Sequence, residues 1–171
     1  MTPPSTVSLE SLLGYRFRNA LLLEEALTHT SYVNEAKHAG SAHNEKLEFL
    51  GDAVLSLVMS EYLATRLPHC SEGALSKLKA KLVSESSLAR VARRLKLGDH
   101  LRLGRGEDQS KGREKDSLLA NAMEAVIAAV HLDGGFETGR DVTLHVFTED
   151  LQSVTAQGEQ PGSDDFKTQF Q

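Results

Sequence analysis

The chain has 171 residues, 40% of them hydrophobic and 25% charged, with a formal net charge of −5. That is enough for one ordinary domain with a real core, and the overall acidity argues against a general polyanion binder. No apolar run is long enough to span a bilayer, the start Met1-Thr2-Pro3-Pro4-Ser5 has no secretory pattern, and the single Cys70 forms no intrachain disulfide. These features predict a protein of a reducing compartment, cytoplasmic and away from membranes.

Strand signals are almost absent, and helical patterning dominates. Residues 8–13 read as a first short helix, with Ser8 as N-cap and Gly14 as stop. Residues 19–28 read as a second, followed by a polar loop over 34–43. The next helix runs over 44–66 and stops at Pro68. Ser71 caps a helix to residue 84, with Glu72 in its first turn, and another covers 86–95, ended by Gly98. Residues 99–115, rich in glycine and charge, read as the longest loop. Gly104-Arg105-Gly106 is no phosphate loop, because no strand precedes it and no Lys-Ser/Thr pair follows. Asp116 or Ser117 caps a strongly apolar helix that ends at Gly134-Gly135, and a last helix covers 138–154. The stretch 156–163 reads as a linker. The fold class is all-α, with one domain over 1–154 and a separate tail over 155–171.

The most informative stretch is Asn44-Glu45-Lys46-Leu47-Glu48-Phe49-Leu50-Gly51-Asp52-Ala53-Val54-Leu55. On a helical wheel Glu45, Glu48 and Asp52 fall within about 60° of one another. Leu47, Leu50, Val54, Leu57 and Val58 fall on the opposite, core-facing side. An acidic stripe of this kind is either a solvated surface or a set of ligands for a divalent cation. Phe49 lies about 40° from Glu45, on the polar side, where an aromatic wants a partner chain or a pocket. Gly51 inside a helix costs roughly 1 kcal/mol against alanine, which implies that something approaches its backbone closely.

Glu124 is the second telling residue. Its helix carries Leu118, Leu119, Met123, Val126, Ile127 and Val130 nearly all round, so a carboxylate there is expensive to bury alone. It either pairs with an arginine at the core edge or joins a site. Asn121 shares its face, three residues earlier. If this face meets that of Glu48 and Asp52, four oxygen donors converge, a set suited to Mg²⁺, or Mn²⁺ in its place, rather than zinc.

Charge is unevenly distributed. Residues 77–115 hold 12 of the 19 basic residues and five acids, a local balance of +7 on an acidic protein. Such a stretch is either a phosphate-facing surface or the solvated side of amphipathic helices.

Residues 44–55 resemble the signature box of the ribonuclease III family of double-stranded RNA endonucleases, with Lys46 in place of the commoner arginine. Ala26-Leu27-Thr28-His29-Thr30-Ser31-Tyr32, Glu72-Gly73-Ala74-Leu75-Ser76 and the run 115–125 resemble further family segments, in order, over about residues 8–152. The resemblance implies a helical bundle that forms a homodimer, with Phe49 at the dimer interface as a plug into the partner. It implies Mg²⁺-dependent hydrolysis of duplex RNA to 5′-phosphate and 3′-hydroxyl ends, in processing of rRNA and mRNA precursors. Carried over by position, Glu48 and Glu124 bind metal directly, Asp52 binds it directly or through water, and Asp52 and Glu124 are catalytic. Glu45 and Glu72 are supporting acids. Asn121 stands where the family commonly has aspartate, which implies weaker metal binding. The tail 164–171 resembles the start of a double-stranded-RNA-binding domain, here truncated. Two alternatives stay open: a non-catalytic RNA-binding relative of the same fold, and an all-helical nucleotide pyrophosphohydrolase.

Overall fold

The structure is a computed structural model and describes residues 6–35 and 42–159. Eleven helices cover most of these residues: α1 (Thr6–Leu13), α2 (Ala20–Ala26), α3 (Thr30–Glu35), α4 (Glu45–Arg66), α5 (Glu72–Leu82), α6 (Glu85–Arg94), α7 (Leu97–His100), α8 (Arg105–Gln109), α9 (Asp116–Gly134), α10 (Phe136–Val146) and α11 (Thr148–Gly158). A 3₁₀ turn, Gly112–Glu114, precedes α9. Among the described residues the strand-like pairing is one isolated bridge, Thr28 to Arg102. The expected all-α class holds. No helix of the described residues is long and apolar enough to cross a membrane.

The centre of the molecule is α9, packed by α4, α6, α10 and α2. Its sequence explains this. Met123, Ile127 and Val130 are fully or nearly fully buried, and Ala122, Ala125, Ala128 and Ala129 leave room for neighbouring helices to approach closely. Leu55, Met59 and Leu63 of α4 and Leu88, Val91 and Ala92 of α6 close the same core.

Several ends follow local chemistry. Asn19, Ser71 and Ser84 accept from the amides of Leu21, Ala74 and Ser87 and so cap α2, α5 and α6. Gly14, at φ +67°, ends α1, and Gly135, at φ +86°, ends α9. Other ends depart from the sequence reading. Ser8 lies inside α1 rather than at its cap. Lys115, not Asp116 or Ser117, precedes α9, and Asp116 is held instead by Arg93. The expected helix over 138–154 is two helices broken at Phe147, a fully buried ring that α10 and α11 share. The stretch read as a long loop contains α8 and the 3₁₀ turn, and Gly98 lies within α7. The helix α3 occupies the start of what read as a polar loop, and residues 36–41 lie outside those described. At the other end α11 continues to Gly158, and the tail over 160–171 also lies outside.

Candidate functional site

The site begins with a crossing of two backbones. A Cβ placed on Gly51 would sit 1.9 Å from the carbonyl oxygen of Glu124 and 2.4 Å from its carbonyl carbon. No residue but glycine lets α4 and α9 touch there, which accounts for a helix breaker in mid-helix. The contact fixes what surrounds it. Glu48 lies three residues before Gly51, Asp52 one after, and Glu124 is the residue in contact. The acidic stripe of α4 is thereby laid against the one carboxylate of an otherwise apolar stretch of α9.

Electrostatics record the meeting. Burial first, and then the charges of Asp52 and Glu48, push the Glu124 carboxyl from its ordinary 4.5 up to about 7. Glu48 is also raised, by burial and then by Glu45. The expected alternative for Glu124, a salt bridge to an arginine, is not what the fold builds: the charges acting on it are both negative. Glu124 and Glu48 are half-buried, whereas Asp52 faces solvent. Asn121 is half-buried one turn before Glu124 on the same helix.

The carboxylates are neighbours rather than a closed shell. Among the described residues no three histidine, cysteine, aspartate or glutamate side chains stand close enough to hold a metal ion as they are. What fits a hard divalent cation is the donor chemistry: three carboxylates and an amide on two helices locked by Gly51, with like charges that a cation relieves.

The other sequence candidates are placed differently. Glu45 is exposed at the mouth of the cluster, with its carboxylate 3.9 Å from Nδ1 of His43, a residue the sequence reading did not single out. That histidine adjoins the acidic box, but a lone histidine before a helix carries no signal by itself. Glu72 is in the first turn of α5, exposed, accepting a 2.7 Å hydrogen bond from the Ser76 hydroxyl. It is not among the charges acting on Glu124 or Glu48. Phe49 is 83% exposed, as its wheel position requires. Leu57 departs from expectation: it is 55% exposed, at the edge of the core stripe, so α4 presents two large apolar side chains outward.

The basic segment is largely engaged inside the fold. Arg90 and Arg94 hold Asp150 at 2.6 and 2.5 Å. Arg113 donates to the carbonyls of Gly98 and Leu101. Lys115 pairs with Glu107, and Arg102 with Glu24. These residues are therefore paired within the fold, while the Arg90 side chain stays 56% exposed.

Comparison with known proteins places the chain in a family. The family model described as ribonuclease-III-like matches residues 19–151. The chain is 53% identical over 146 residues to the protein named Ribonuclease 3 of Caldanaerobacter subterraneus subsp. tengcongensis, covering 85% of this chain and 64% of that protein. It is 48% identical over 168 residues to Ribonuclease 3 of Geobacter metallireducens, covering 98% of this chain and 67% of the relative. The nuclease domain of ribonuclease III from Campylobacter jejuni superposes with a TM-score of 0.80 at 43% identity, over 85% of this chain and 98% of that one. The chain thus spans about two thirds of the length of the curated relatives it matches.

Proposed function

The chain belongs to the ribonuclease-III-like family, and on that premise we propose that it hydrolyses phosphodiester bonds of double-stranded RNA with a divalent metal. The products are 5′-phosphate and 3′-hydroxyl ends. The observation that carries this reading is the Gly51–Glu124 backbone contact, which sets Glu48 and Asp52 against a carboxyl pushed up to about 7 by burial and then by their charges. A cluster that repels itself is a poor structural element and a good cation site.

Glu48, Asp52 and Glu124 would hold Mg²⁺, or Mn²⁺ in its place, with Asn121 offering a neutral amide oxygen. When bound, such an ion makes a coordinated water more acidic and offsets negative charge on the phosphate and the leaving oxygen. The chain's own residues do the positioning. Gly51 keeps the two helices in contact. Asp52, solvent-facing, is placed to orient an attacking water, and Glu124, half-buried, keeps the inner wall of the site anionic once its proton is lost. Glu45 adds like charge beside Glu48 and, after burial, raises its carboxyl, which adds to the repulsion a cation would relieve, whereas Glu72 acts as a first-turn acid of its helix.

The working unit is a homodimer, each subunit contributing one site for one strand. The Campylobacter jejuni neighbour is described as having a region involved in dimer formation. Phe49, exposed on α4 beside the acidic stripe, is the natural centre of such an interface here. Duplex RNA is read by shape and backbone rather than by sequence, which suits processing of rRNA and mRNA precursors in the cytoplasm. The test is incubation of the chain with a long end-labelled RNA duplex and a matched single strand at millimolar Mg²⁺. Duplex-selective cutting that leaves 5′-phosphates supports the reading. Duplex binding with no cutting at any Mg²⁺ or Mn²⁺ concentration supports instead a non-catalytic relative, with Asn121 as the altered position.

A further inference from the structure

Two lysines of residues 77–115 stand apart by their backbone conformation. Lys96 and Lys111 are exposed, and their backbones have φ of 55° and 60°, the left-handed conformation. They are the two non-glycine residues with positive φ among those described. Each sits directly after a helix C-cap, Leu95 for α6 and Ser110 for α8. Glycine is the usual occupant of that position, because an L side chain crowds its own backbone there. Neither lysine caps the following turn with its side chain. Local structure therefore disfavours lysine at both places and gains nothing visible from its ammonium group.

The fold brings the two turns together. Lys96 leads into α7 and Lys111 into the 3₁₀ turn, and these segments interlock two residues later: a Cβ on Gly98 would lie 2.5 Å from the Arg113 carbonyl oxygen. Arg113 Nη1 donates back to the carbonyls of Gly98 at 2.9 Å and Leu101 at 2.7 Å. Two residues on either side of one contact keep the lysine Cα atoms within about 20 Å of each other. Arg93 fastens this knot to the start of α9, donating to the Glu114 carbonyl at 2.8 Å and to the Asp116 carboxylate. From Asp116 the helix rises about 12 Å to Glu124. Two strained, exposed cations thus flank the N-terminus of the helix that carries the acidic site.

We propose that Lys96 and Lys111 are phosphate contacts that seat an RNA duplex against the cluster of Glu48, Asp52 and Glu124. The inference rests on the reading of that cluster as a duplex-RNA site, and it assigns the work of holding the anionic backbone to these two residues. It also reconciles net acidity with RNA binding, since the remaining basic side chains of the segment are largely tied into the fold. An outlying conformation retained at a charged residue is the kind of strain that accompanies binding rather than packing.

The test is binding of a 30-base-pair RNA duplex by fluorescence anisotropy, without divalent ions so that nothing is cut, across a salt series. The proteins are the full chain, K96G/K111G and K96R/K111R. Glycine relieves the backbone while removing charge, so K96G/K111G should melt at or above the parent temperature yet bind more weakly. Each lost phosphate contact should lower the log–log salt slope by about 0.9, equivalent to about fivefold in affinity per lysine near 0.15 M salt. K96R/K111R should keep the parent slope. If the parent binds the duplex and K96G/K111G binds equally well with the same slope, the assignment of the lysines is overturned and the site reading stands. If K96G/K111G melts well below the parent, the lysines are structural and the assignment is likewise overturned. If the parent binds no duplex even at low salt, the RNA reading itself fails, and this inference with it.

Discussion

Replacing Gly51 by alanine adds one methyl group at the point where the site is assembled. The new carbon would lie 1.9 Å from the Glu124 carbonyl oxygen, against the 3.4 Å at which ordinary contact begins, so the two helices must part by about 1.5 Å. Both sides of the clash are backbone, and no flexible side chain can give way. Overpacking a core typically costs about 1–3 kcal/mol, and a backbone clash at the central crossing belongs at the top of that range. Alanine's higher helix propensity offsets about 1 kcal/mol. The net expectation is a loss of about 2 kcal/mol, or about 4–8 °C in melting temperature for a domain of this size. Thermal unfolding followed by circular dichroism measures it. Gly73→Ala is the internal control: nothing lies within 4 Å of a Cβ there. In the exposed first turn of α5 the same change should raise stability slightly, by up to about 1 kcal/mol. If G51A melts at or above the parent, the close crossing is not a feature of the folded protein, and the argument that it assembles the carboxylates fails with it.

Three further outcomes follow from named contacts. The raised Glu124 carboxyl favours the protonated fold, so its contribution to stability is fully present below about 4.5 and is lost as pH rises through about 7. In chelator, Glu124→Gln should accordingly be more stable than the parent above neutral pH, with the advantage shrinking at acid pH; urea midpoints that track each other across this range would refute it. Burial pushes the Asp150 carboxyl up, but hydrogen bonds and charge from Arg90 and Arg94 outweigh it and hold the group below its ordinary value. That contribution is present at neutral pH and is lost only in acid as the carboxylate protonates. Asp150→Ala leaves two guanidinium groups without their carboxylate, and because Arg90 is 56% exposed water recovers part of the loss. About 2 kcal/mol should disappear in urea unfolding at neutral pH. Phe49→Ala should weaken the dimer and Phe49→Asp should abolish it in light scattering; a parent that is monomeric at micromolar concentration would remove the interface assignment.

The parts of this fold that were legible in the sequence are those governed by one dominant signal. The acidic stripe, the outward Phe49 and the intrusive Gly51 of α4 each stand out against a regular helical pattern, and each lies where that pattern implies. The seam between α4 and α9 was legible only as a condition, that the two acidic faces meet; the contact of Gly51 with the Glu124 backbone that makes it is a tertiary fact. Elements set by tertiary contacts were less visible. The break at Phe147 leaves no proline or glycine in the chain, because it is made by a buried ring rather than by a breaker. The short α7 and the 3₁₀ turn are held by Arg113 and Arg93 reaching carbonyl oxygens many residues away, and such bonds have no local signature. Leu57 shows how an edge position on the wheel can turn outward when no neighbouring helix covers it.

Catalysis at the carboxylate cluster is tested most directly by comparing the unmodified chain with Glu124→Gln on one RNA duplex, measuring binding without metal and cutting with Mg²⁺. The substitution keeps shape and removes the ionisable carboxyl that burial and then the neighbouring carboxylates push up to about 7. The expected result is duplex binding equal to or tighter than the parent's, with cutting reduced by orders of magnitude. Parental cutting rates in the variant at millimolar Mg²⁺ would contradict the assignment of this cluster as the catalytic site.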